Sequence, residues 1–332
     1  MSDIARLAGV STATVSRALN GSEAIRPETR ERIMALAQAH QYTVLAGAKN
    51  LRSGENRTLG LVIPYRASLR MQVTDPFFLS MLGHLADAMT EAQYDLLLSR
   101  VNADHLDECA ALYDSGRVAG MVVVGQWNHH DQLNALAKRQ VPLVVWGAQL
   151  PDQLYCSVGS DNARGGFEAT EHLIQQGRRR IAFMGDYQSG EAEFRYKGYC
   201  EALAKHGIAL DPSIVIPSPF TPLEAQQAMH QFCDQQRPID ALFAASDLIA
   251  INAMGVLNAR GFKVPVDVAV VGYDDVDAAR HSFPPLSTVH QPLDVAARAL
   301  LQSLQEVMQG RQPVSRQLKS PLIIRASSHS SS

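Results

Sequence analysis

The chain has 332 residues, of which 46% are hydrophobic and 19% charged, and its formal net charge is −3. This composition is typical of a globular protein with room for two or three domains, and no apolar run reaches the roughly 20 residues of a membrane span. The four cysteines contain no C-x-x-C pair, which argues against the usual zinc and redox motifs. The first residues lack the basic and apolar regions of a signal peptide, so we expect a cytoplasmic protein with free thiols and no membrane partner.

Basic residues are concentrated at the N-terminus. Residues 1–58 contain eight Lys and Arg against five Asp and Glu, a net charge of +3, which leaves −6 for the rest of the chain. A small basic unit on a larger acidic one is typical of a protein that contacts phosphate groups at one end only.

The first forty residues predict three short helices. A helix over 2–8 ends at Gly9, and Ser11 is a suitable N-cap for a second helix. In the second helix Val15, Ala18 and Leu19 share an inward face, and the outward positions are Thr12, Ala13, Ser16 and Arg17. Asn20 and Gly21 end this helix, and Pro27 starts the third.

Two helices joined by a glycine-containing turn, with a third helix behind them, form the helix-turn-helix arrangement. The second helix of this motif enters the major groove of DNA. Arg17 suits a bidentate contact with guanine, and Thr12 suits a contact with a base or with a thymine methyl group. From these residues alone, a three-helix bundle with a solvated face is the alternative interpretation.

From residue 58 onwards, short apolar runs alternate with amphipathic stretches, which predicts βαβ units and parallel sheets covered on both faces. The pattern forms two similar halves, about 58–160 and 162–288. We therefore expect an α/β body with two doubly wound parallel sheets behind an all-α headpiece. The predicted strands are Thr58–Ile63, Tyr94–Ser99, Gly120–Val124, Leu143–Trp146, Arg180–Met184, Ala241–Ala244 and Val268–Gly272, with a closing strand in "SPLIIR". Helices are predicted near 78–93, 105–115, 131–140, 162–177, 191–207, 222–236, 246–261 and 293–309.

The stretches "SDIARLAGVSTATVSRALNG", "RPETRERIMALAQAHQY" and "AGAKNLRSGENRTLGLVIP" closely resemble the LacI/GalR family of bacterial transcription regulators. Together with later matches, the resemblance covers nearly the whole chain. It implies a DNA-binding domain over 1–45, a hinge helix over 46–57, and an effector-binding and dimerisation domain over 58–332. In that last domain the N-lobe comprises about 58–160 plus 291–320, and the C-lobe about 161–290 plus 321–327.

The resemblance also implies which residues contact DNA. Thr12, Ala13 and Arg17 fall at base-reading positions, and Leu51 falls where the hinge helix inserts a leucine into the minor groove. Taken by itself, "NLRSGENRT" reads as a polar linker. Relatives usually carry a few residues before the first helix, so we expect a shortened start. The predicted DNA-binding residues are Thr12, Ala13, Ser16, Arg17, Asn20, Leu51 and Arg52.

The body resembles a sugar-type periplasmic binding protein, in which the ligand lies beyond the carboxyl ends of the strands. The family motifs imply that Arg195 in "EFRYKGY" and Asp274 in "VVGYDDV" bind the effector. Carboxylates and arginine bind sugar hydroxyls, and aromatic rings pack on sugar C–H faces. The other predicted effector residues are Asp161, Phe220, Asp247, Trp127, Trp146, Phe77 and Gln291. The alternatives are core packing for the two tryptophans and helix N-caps for Asp161 and Asp247.

No catalytic, metal or cofactor site is expected. The sequence contains no P-loop, no G-x-S-x-G and no G-x-G-x-x-G after a strand. His129 and His130 lack metal-ligand helical spacing and read as a solvated loop. The carboxylate pair Asp274–Asp275 could serve an acid–base enzyme, but its setting matches a family ligand-binding motif.

We therefore predict a homodimeric repressor of carbohydrate-utilisation genes that binds a double-stranded operator and is released by a small-molecule effector, a sugar. An effector that strengthens DNA binding, as a corepressor does, is an alternative within this class. A sugar-binding protein without a DNA role and an NAD-type enzyme are alternatives from other classes. The stretch "QSGEAE" before Arg195 lacks the cation of purine-binding relatives, which argues against a purine corepressor. The C-terminal "RASSHSSS" lacks the apolar heptads that would join dimers into tetramers.

Overall fold

The structure is a computed structural model that describes residues 2–19, 22, 24–40, 56–66, 73–188 and 190–329. Contacts divide the chain into two compact units, Met1–Asn56 and Arg57–Ser332. Among the helices of the described residues, none combines the length and the apolar character that crossing a membrane requires.

The first unit contains three helices, α1 (Ser2–Ala8), α2 (Thr12–Leu19) and α3 (Pro27–Ala39). Gly9 has a φ of +64°, a left-handed conformation that glycine adopts without strain, and it turns the chain between α1 and α2. The backbone N–H of Thr14 donates to the Ser11 hydroxyl over 3.1 Å, as the predicted N-cap requires. Ile4, Val15 and Ile33 are fully buried and join the three helices in one small core.

The second unit alternates strands and helices. Up to residue 160 it contains β1 (Thr58–Val62), α4 (Pro76–Glu91), β2 (Asp95–Ser99), a 3₁₀ helix (Ala103–Cys109), α5 (Ala110–Asp114), β3 (Gly120–Val124), α6 (His130–Lys138), β4 (Leu143–Trp146) and β5 (Cys156–Ser160). Beyond it lie α7 (Asn162–Gln175), β6 (Ile181–Gly185), α8 (Gly190–Lys205), β7 (Val215–Pro217), α9 (Pro222–Asp234), β8 (Ala241–Ala244), α10 (Asp247–Ala259), β9 (Ala269–Asp274), α11 (Asp277–His281), β10 (Ser287–His290), α12 (Leu293–Met308), β11 (Arg316–Leu318) and β12 (Leu322–Ile323).

The strands form two six-stranded sheets, each the centre of one lobe. The N-lobe sheet has the order β11-β5-β4-β3-β1-β2 and is parallel throughout. The C-lobe sheet has the order β12-β10-β9-β8-β6-β7, and only β12 within it is antiparallel. Along the described chain the backbone passes between lobes after β5, after β10 and between β11 and β12. The predicted α/β fold with two doubly wound sheets is confirmed.

The predicted elements differ from the structure at particular places. Strands β5, β7, β10 and β11 are not in the predicted set, because β5 ("CSVGS") and β10 ("STVH") are rich in small polar residues and β7 and β11 have only three residues each. The helix predicted near 105–115 is instead a 3₁₀ helix and the short α5, because His105 has a non-helical backbone with φ −129° and ψ 51°. The helical stretch predicted near 105–115 is therefore present, as two short helices of different type.

Candidate functional site

A cavity of about 130 Å³ lies between the two lobes, beyond the carboxyl ends of their parallel strands. This is the edge of a doubly wound sheet at which ligands bind. Both lobes contribute walls, and each wall contains apolar and charged side chains. The N-lobe lining is Arg66, Asp75, Phe77, Phe78, Val124, Gly125, Trp127 and Trp146; the C-lobe lining is Asp186, Gly190, Glu191, Ala192, Arg195, Pro219, Phe220, Ser246 and Asp274.

Arg195 is the most extensively bonded charged side chain of this cavity, and it is only 6% exposed. Its Nε donates to Asn162 Oδ1 over 2.9 Å, and its Nη1 donates to the backbone oxygen of Ala245. The same Nη1 lies 3.6 Å from Asp274 Oδ1. The guanidinium also lies 3.7 Å from the centre of the Tyr273 ring, a cation–π distance. These contacts hold the planar group in one orientation facing the cavity.

Two glycines allow the helix that carries Arg195 to reach this position. A Cβ on Gly166 of α7 would lie 2.1 Å from the backbone oxygen of Arg195, and one on Gly198 of α8 would lie 2.0 Å from that of Ala163. Both distances are far below van der Waals contact, so any larger residue would push α7 and α8 apart. The close approach brings Asn162, the first residue of α7, within hydrogen-bonding distance of Arg195.

Asp274 ends β9 with an unusual backbone and a buried side chain. Its φ is +117°, a left-handed conformation that costs free energy for a non-glycine residue. Its Oδ1 accepts a hydrogen bond of 2.7 Å from Gln291 Nε2. Burial raises the pKa of Asp274 to about 7; the Arg195 guanidinium and the Gln291 bond lower this pKa, and the charge of Asp75 raises it. A carboxyl group in this setting can bind a ligand hydroxyl in either protonation state.

The aromatic lining comes from both lobes. Phe77 and Trp146 lie with ring centres 6.4 Å apart in the N-lobe, and Phe220 lies on the C-lobe side. Trp146 ends β4, and only 4% of it is exposed. Trp127 lies three residues beyond the end of β3, with a φ of +53°, and its Nε1 donates to the backbone oxygen of Val124 over 3.0 Å. Flat apolar faces on two sides suit a ligand with apolar C–H faces.

Three of the predicted effector residues do not line the cavity. Asp161 is the N-cap of α7, accepting from the Arg164 N–H over 3.1 Å, as its alternative interpretation had it. Gln291 is buried behind Asp274 and accepts from the Ser160 hydroxyl over 2.7 Å. It therefore connects the ends of β5 and β9 and acts on the cavity through Asp274.

Asp247 is fully buried and has both carboxylate oxygens bonded inside the protein. Oδ1 accepts from Thr288 Oγ1 over 2.6 Å, and Oδ2 accepts from the Val276 N–H over 2.9 Å. Its interpretation as an N-cap is wrong, because Ser246 caps α10 by accepting from the Ile249 N–H. Burial, together with the charge of Asp274, raises the pKa of Asp247 well above its ordinary value.

The structure adds charged lining residues that the sequence analysis did not single out. Asp75 caps α4 by accepting from the Phe77 N–H over 2.8 Å, and Glu191 lies in the first turn of α8. Burial raises the pKa of both carboxyl groups. Arg66 donates from Nη2 to the backbone oxygen of Trp127 over 3.1 Å. An Asp before Pro-Phe is a sequence signal for a helix N-cap, whereas nothing in the sequence places Arg66 beside Trp127.

One hydrogen bond joins the lobes directly at the rim of the cavity. Gly190, the first residue of α8, donates its N–H to Asn128 Oδ1 over 3.1 Å. This N–H has no partner within its own helix, so the N-lobe supplies the cap for a C-lobe helix. Asn128 itself has a φ of +63°, a conformation that Asn adopts more readily than most residues.

We expect the substitution Asp274→Asn to flatten the dependence of stability on pH. The unfolded carboxyl ionises near its ordinary value of 3.8, whereas the folded one has a pKa of about 7. The stability contributed by this group is therefore fully present below pH 3.8 and is lost as the pH rises to about 7. Relative to D274N, the wild type should lose about 2–4 kcal/mol of unfolding free energy over this range. Urea denaturation of both proteins at several pH values checks this, and parallel curves would contradict it.

In the first unit, Thr12, Ala13 and Arg17 are exposed on α2. The prediction that Ser16 also faces outward is wrong, because only 6% of it is exposed. Ser16 lies one turn before Leu19 and so sits at the border of the inward face. Asn20, Leu51 and Arg52 lie outside the described residues. Within the described ranges, no group of three or more His, Cys, Asp or Glu side chains is placed to hold a metal ion.

A ligand cleft between two parallel-sheet lobes, preceded by a small helical unit with an exposed polar helix, is the architecture of a ligand-responsive regulator. The family of bacterial regulatory proteins, lacI family, matches residues 1–44, and the periplasmic binding protein-like domain matches residues 170–328. CelR of Thermobifida fusca, an HTH-type transcriptional regulator, is 33% identical over 330 residues, covering 98% of this chain and 96% of CelR. CytR of Escherichia coli strain K12, an HTH-type transcriptional repressor, is 30% identical, covering 98% of this chain and 95% of CytR. The chain belongs to the LacI family.

Solved structures agree with this assignment. The complex of CelR with cellobiose has a TM-score of 0.73 and 32% identity to this chain, with 98% of each chain covered. The lac repressor dimer bound to operator and the anti-inducer ONPF has a TM-score of 0.84, covering 99% of this chain and 98% of the repressor. Because the lac repressor is only 21% identical, this second likeness shows the fold alone.

Proposed function

We propose that this protein is a cytoplasmic, homodimeric transcriptional repressor of carbohydrate-utilisation genes, released from its operator when a sugar binds between its lobes. The arrangement of Arg195 and Asp274 beside aromatic rings from both lobes carries the proposal for the sugar. Charged groups form strong hydrogen bonds with hydroxyls, and the rings cover the apolar faces. The cellobiose bound by the related CelR supports a saccharide. The protein acts by binding and catalyses no reaction.

The exposed residues of α2 support the proposal for DNA. Thr12, Ala13 and Arg17 project from a helix whose opposite side packs on α1 and α3, as a recognition helix requires. Residues 1–45 would bind the operator, 46–57 would form the hinge with Leu51 in the minor groove, and 58–332 would bind the effector. The N-lobe would comprise about 58–160 and 291–320, with the rest in the C-lobe.

Effector binding has to favour one arrangement of the lobes in order to change DNA affinity. A ligand that contacts Phe77 and Trp146 on one side and Arg195 and Asp274 on the other stabilises the closed cleft. Closure moves the N-lobe surfaces that pair two subunits, and the hinges of the pair lose the spacing that the operator requires. A 100-fold fall in operator affinity needs about 2.7 kcal/mol of coupling between the two sites.

Exposed leucines on the N-lobe support the dimer. Leu98 on β2 is 41% exposed, and Leu79 on the neighbouring α4 is 47% exposed. β2 is the outermost strand of its sheet, and an edge strand with apolar side chains readily pairs with another chain. A second copy of this chain is the occupant that we propose.

We expect Leu98→Glu to shift the protein from dimer to monomer, because it places a charge in the proposed apolar interface. Sedimentation velocity should show a dimer dissociation constant raised at least about 100-fold, as expected for an unpaired charge that costs several kcal/mol to bury. Leu210→Glu is the matched control, since Leu210 is 42% exposed but lies on the C-lobe. Equal effects of the two substitutions would contradict this assignment of the interface.

The proposed function is tested by fluorescence anisotropy on operator DNA from the promoter nearest the gene, at fixed salt. A symmetric operator and a scrambled duplex are titrated with the full chain, with and without a panel of sugars. Tight binding to the operator alone, reversed by one sugar, is the expected result. Binding strengthened by a ligand would establish a corepressor instead. Binding that ignores sequence under all conditions would contradict the DNA-binding role.

A further inference from the structure

Acidic side chains outnumber basic ones in the cavity lining. Four acidic side chains line it, namely Asp75, Asp186, Glu191 and Asp274, against two basic ones, Arg66 and Arg195. Both arginines are already engaged by the protein. Arg66 bonds the Trp127 backbone and lies 3.8 Å from Asp104 Oδ1, and Arg195 bonds Asn162, Ala245 and Asp274.

Glu191 differs from the other acids in its hydrogen bonding. Its Oε1 is inaccessible to solvent, and within the described residues no donor lies at hydrogen-bonding distance from it. Asp75, by contrast, caps α4, and Asp274 accepts from Gln291. A buried carboxylate oxygen without a donor costs free energy, which a ligand donor at the same place would recover. Burial raises the pKa of the Glu191 carboxyl group, while a hydrogen bond from its own backbone N–H and the charge of Arg195 lower this pKa.

We propose that Glu191 binds the effector by accepting a hydrogen bond from a ligand hydroxyl, and that the acidic lining restricts the effector to saccharides without phosphate or carboxylate groups. This inference rests on the proposed function, because it concerns the ligand of the same cleft. Glu191 faces the cavity from the first turn of α8, four residues before Arg195. The two side chains therefore share one face of the helix and present an acceptor and a donor to neighbouring ligand groups.

A sugar that carries a phosphate or carboxylate group would bind less favourably in this cleft. Its phosphate or carboxylate would enter a cleft in which acids outnumber arginines. Within the described lining both arginines have protein partners, and only Arg66 Nε is a buried donor without a hydrogen bond. Repulsion between like charges is strong in a desolvated site, so the anion would bind less tightly than its neutral counterpart. A hydroxyl group carries no such penalty and donates the hydrogen bond that Oε1 lacks.

The test is isothermal titration calorimetry of the full-length protein with cellobiose, maltose, sucrose and trehalose, and with the 6-phosphate of each sugar that binds. Glu191→Gln removes the charge at nearly constant shape. Glu193→Gln is the matched control, because Glu193 lies in the same first turn but pairs with Lys197 over 2.7 Å at the surface. Thermal unfolding of each variant shows that it is folded.

We expect E191Q to lower affinity for the neutral disaccharide about 10-fold, as the loss of a charged hydrogen bond would do, and E193Q to leave it unchanged. The ratio of the affinity for the neutral sugar to the affinity for its 6-phosphate should also fall about 10-fold in E191Q and stay unchanged in E193Q. If E191Q matches E193Q, or if the wild type prefers the phosphate, the inference is wrong while a sugar-binding role stands. If no saccharide binds, the proposed effector class fails, and the inference fails with it.

Discussion

Replacement of Arg195 by leucine should give a repressor that binds its operator normally but no longer responds to effector. Arg195 is the one side chain of the described cavity lining that contacts Asn162 on α7, the backbone after β8 and Asp274 at the end of β9. Its loss removes a donor to the ligand and leaves those acceptors without their cation. Effector affinity should fall at least about 100-fold, which corresponds to roughly 2.7 kcal/mol.

The same substitution should also destabilise the C-lobe. Removing one partner of a buried ion pair costs about 3–5 kcal/mol, and partial protonation of Asp274 should bring the cost to the lower end. Arg164→Leu is the control, because Arg164 is exposed and its pair with Glu168 lies at the surface. Arg195→Lys keeps the charge but loses the planar group that contacts Tyr273, so it should fold better and still bind effector weakly. Effector titrations of operator complexes and urea denaturation give both quantities. If the effector concentration that releases the wild type from operator DNA also releases R195L, Arg195 does not bind the effector.

The second large effect is expected at the opposite end of the chain. Arg17→Gln should weaken operator binding by about 1–3 kcal/mol for each half-site, which is the range for one bidentate contact with a base. It should also relax the preference at one base pair of each half-site, while effector binding to the free protein stays unchanged. Anisotropy titrations with operators altered one base pair at a time measure both effects.

Arg6→Gln separates base recognition from simple charge in this experiment. Arg6 lies on α1, is highly exposed, and pairs only with Asp3 over 3.6 Å among the contacts described. Losing its charge should weaken binding to all duplexes alike and reduce the salt dependence, without altering sequence preference. If R17Q changes affinity uniformly in the same way, Arg17 contacts the DNA backbone and does not read bases.

The sequence predicted the architecture better than the roles of single side chains. Alternating apolar runs and amphipathic stretches were sufficient to predict two parallel sheets, because strands such as "MVVV" in β3 are covered on both faces. The helical stretch predicted near 105–115 is present, but its division into a 3₁₀ helix with a kink at His105 and the short α5 depends on backbone angles, which the apolar pattern does not report. Ser16 was misplaced because a small side chain at the border of a helix face is buried or exposed according to its neighbours.

Which of the predicted residues line the cleft also depends on contacts that the local sequence does not show. Six of the nine predicted effector residues line the cavity, whereas Asp247 is turned away by Thr288, a partner 41 residues further along the chain. Such long-range pairing is not visible in local sequence. Nothing in the stretch "QSGEAE" before Arg195 marks Glu191 as a ligand-binding residue. A lone acid in a first helical turn is common, and only the cavity around it singles it out.

The hydrogen bond from Gly190 to Asn128 connects the two lobes at the rim of the cleft, and its strength does not depend on the chemistry of the ligand. Separation of the lobes at this rim breaks that bond, and water then replaces Asn128 on the first N–H of α8. Where ligand release requires this separation, the lifetime of the occupied state depends on Asn128, a residue outside the cavity lining. Variation at position 128 would retune the persistence of induction between organisms while the choice of sugar stayed the same.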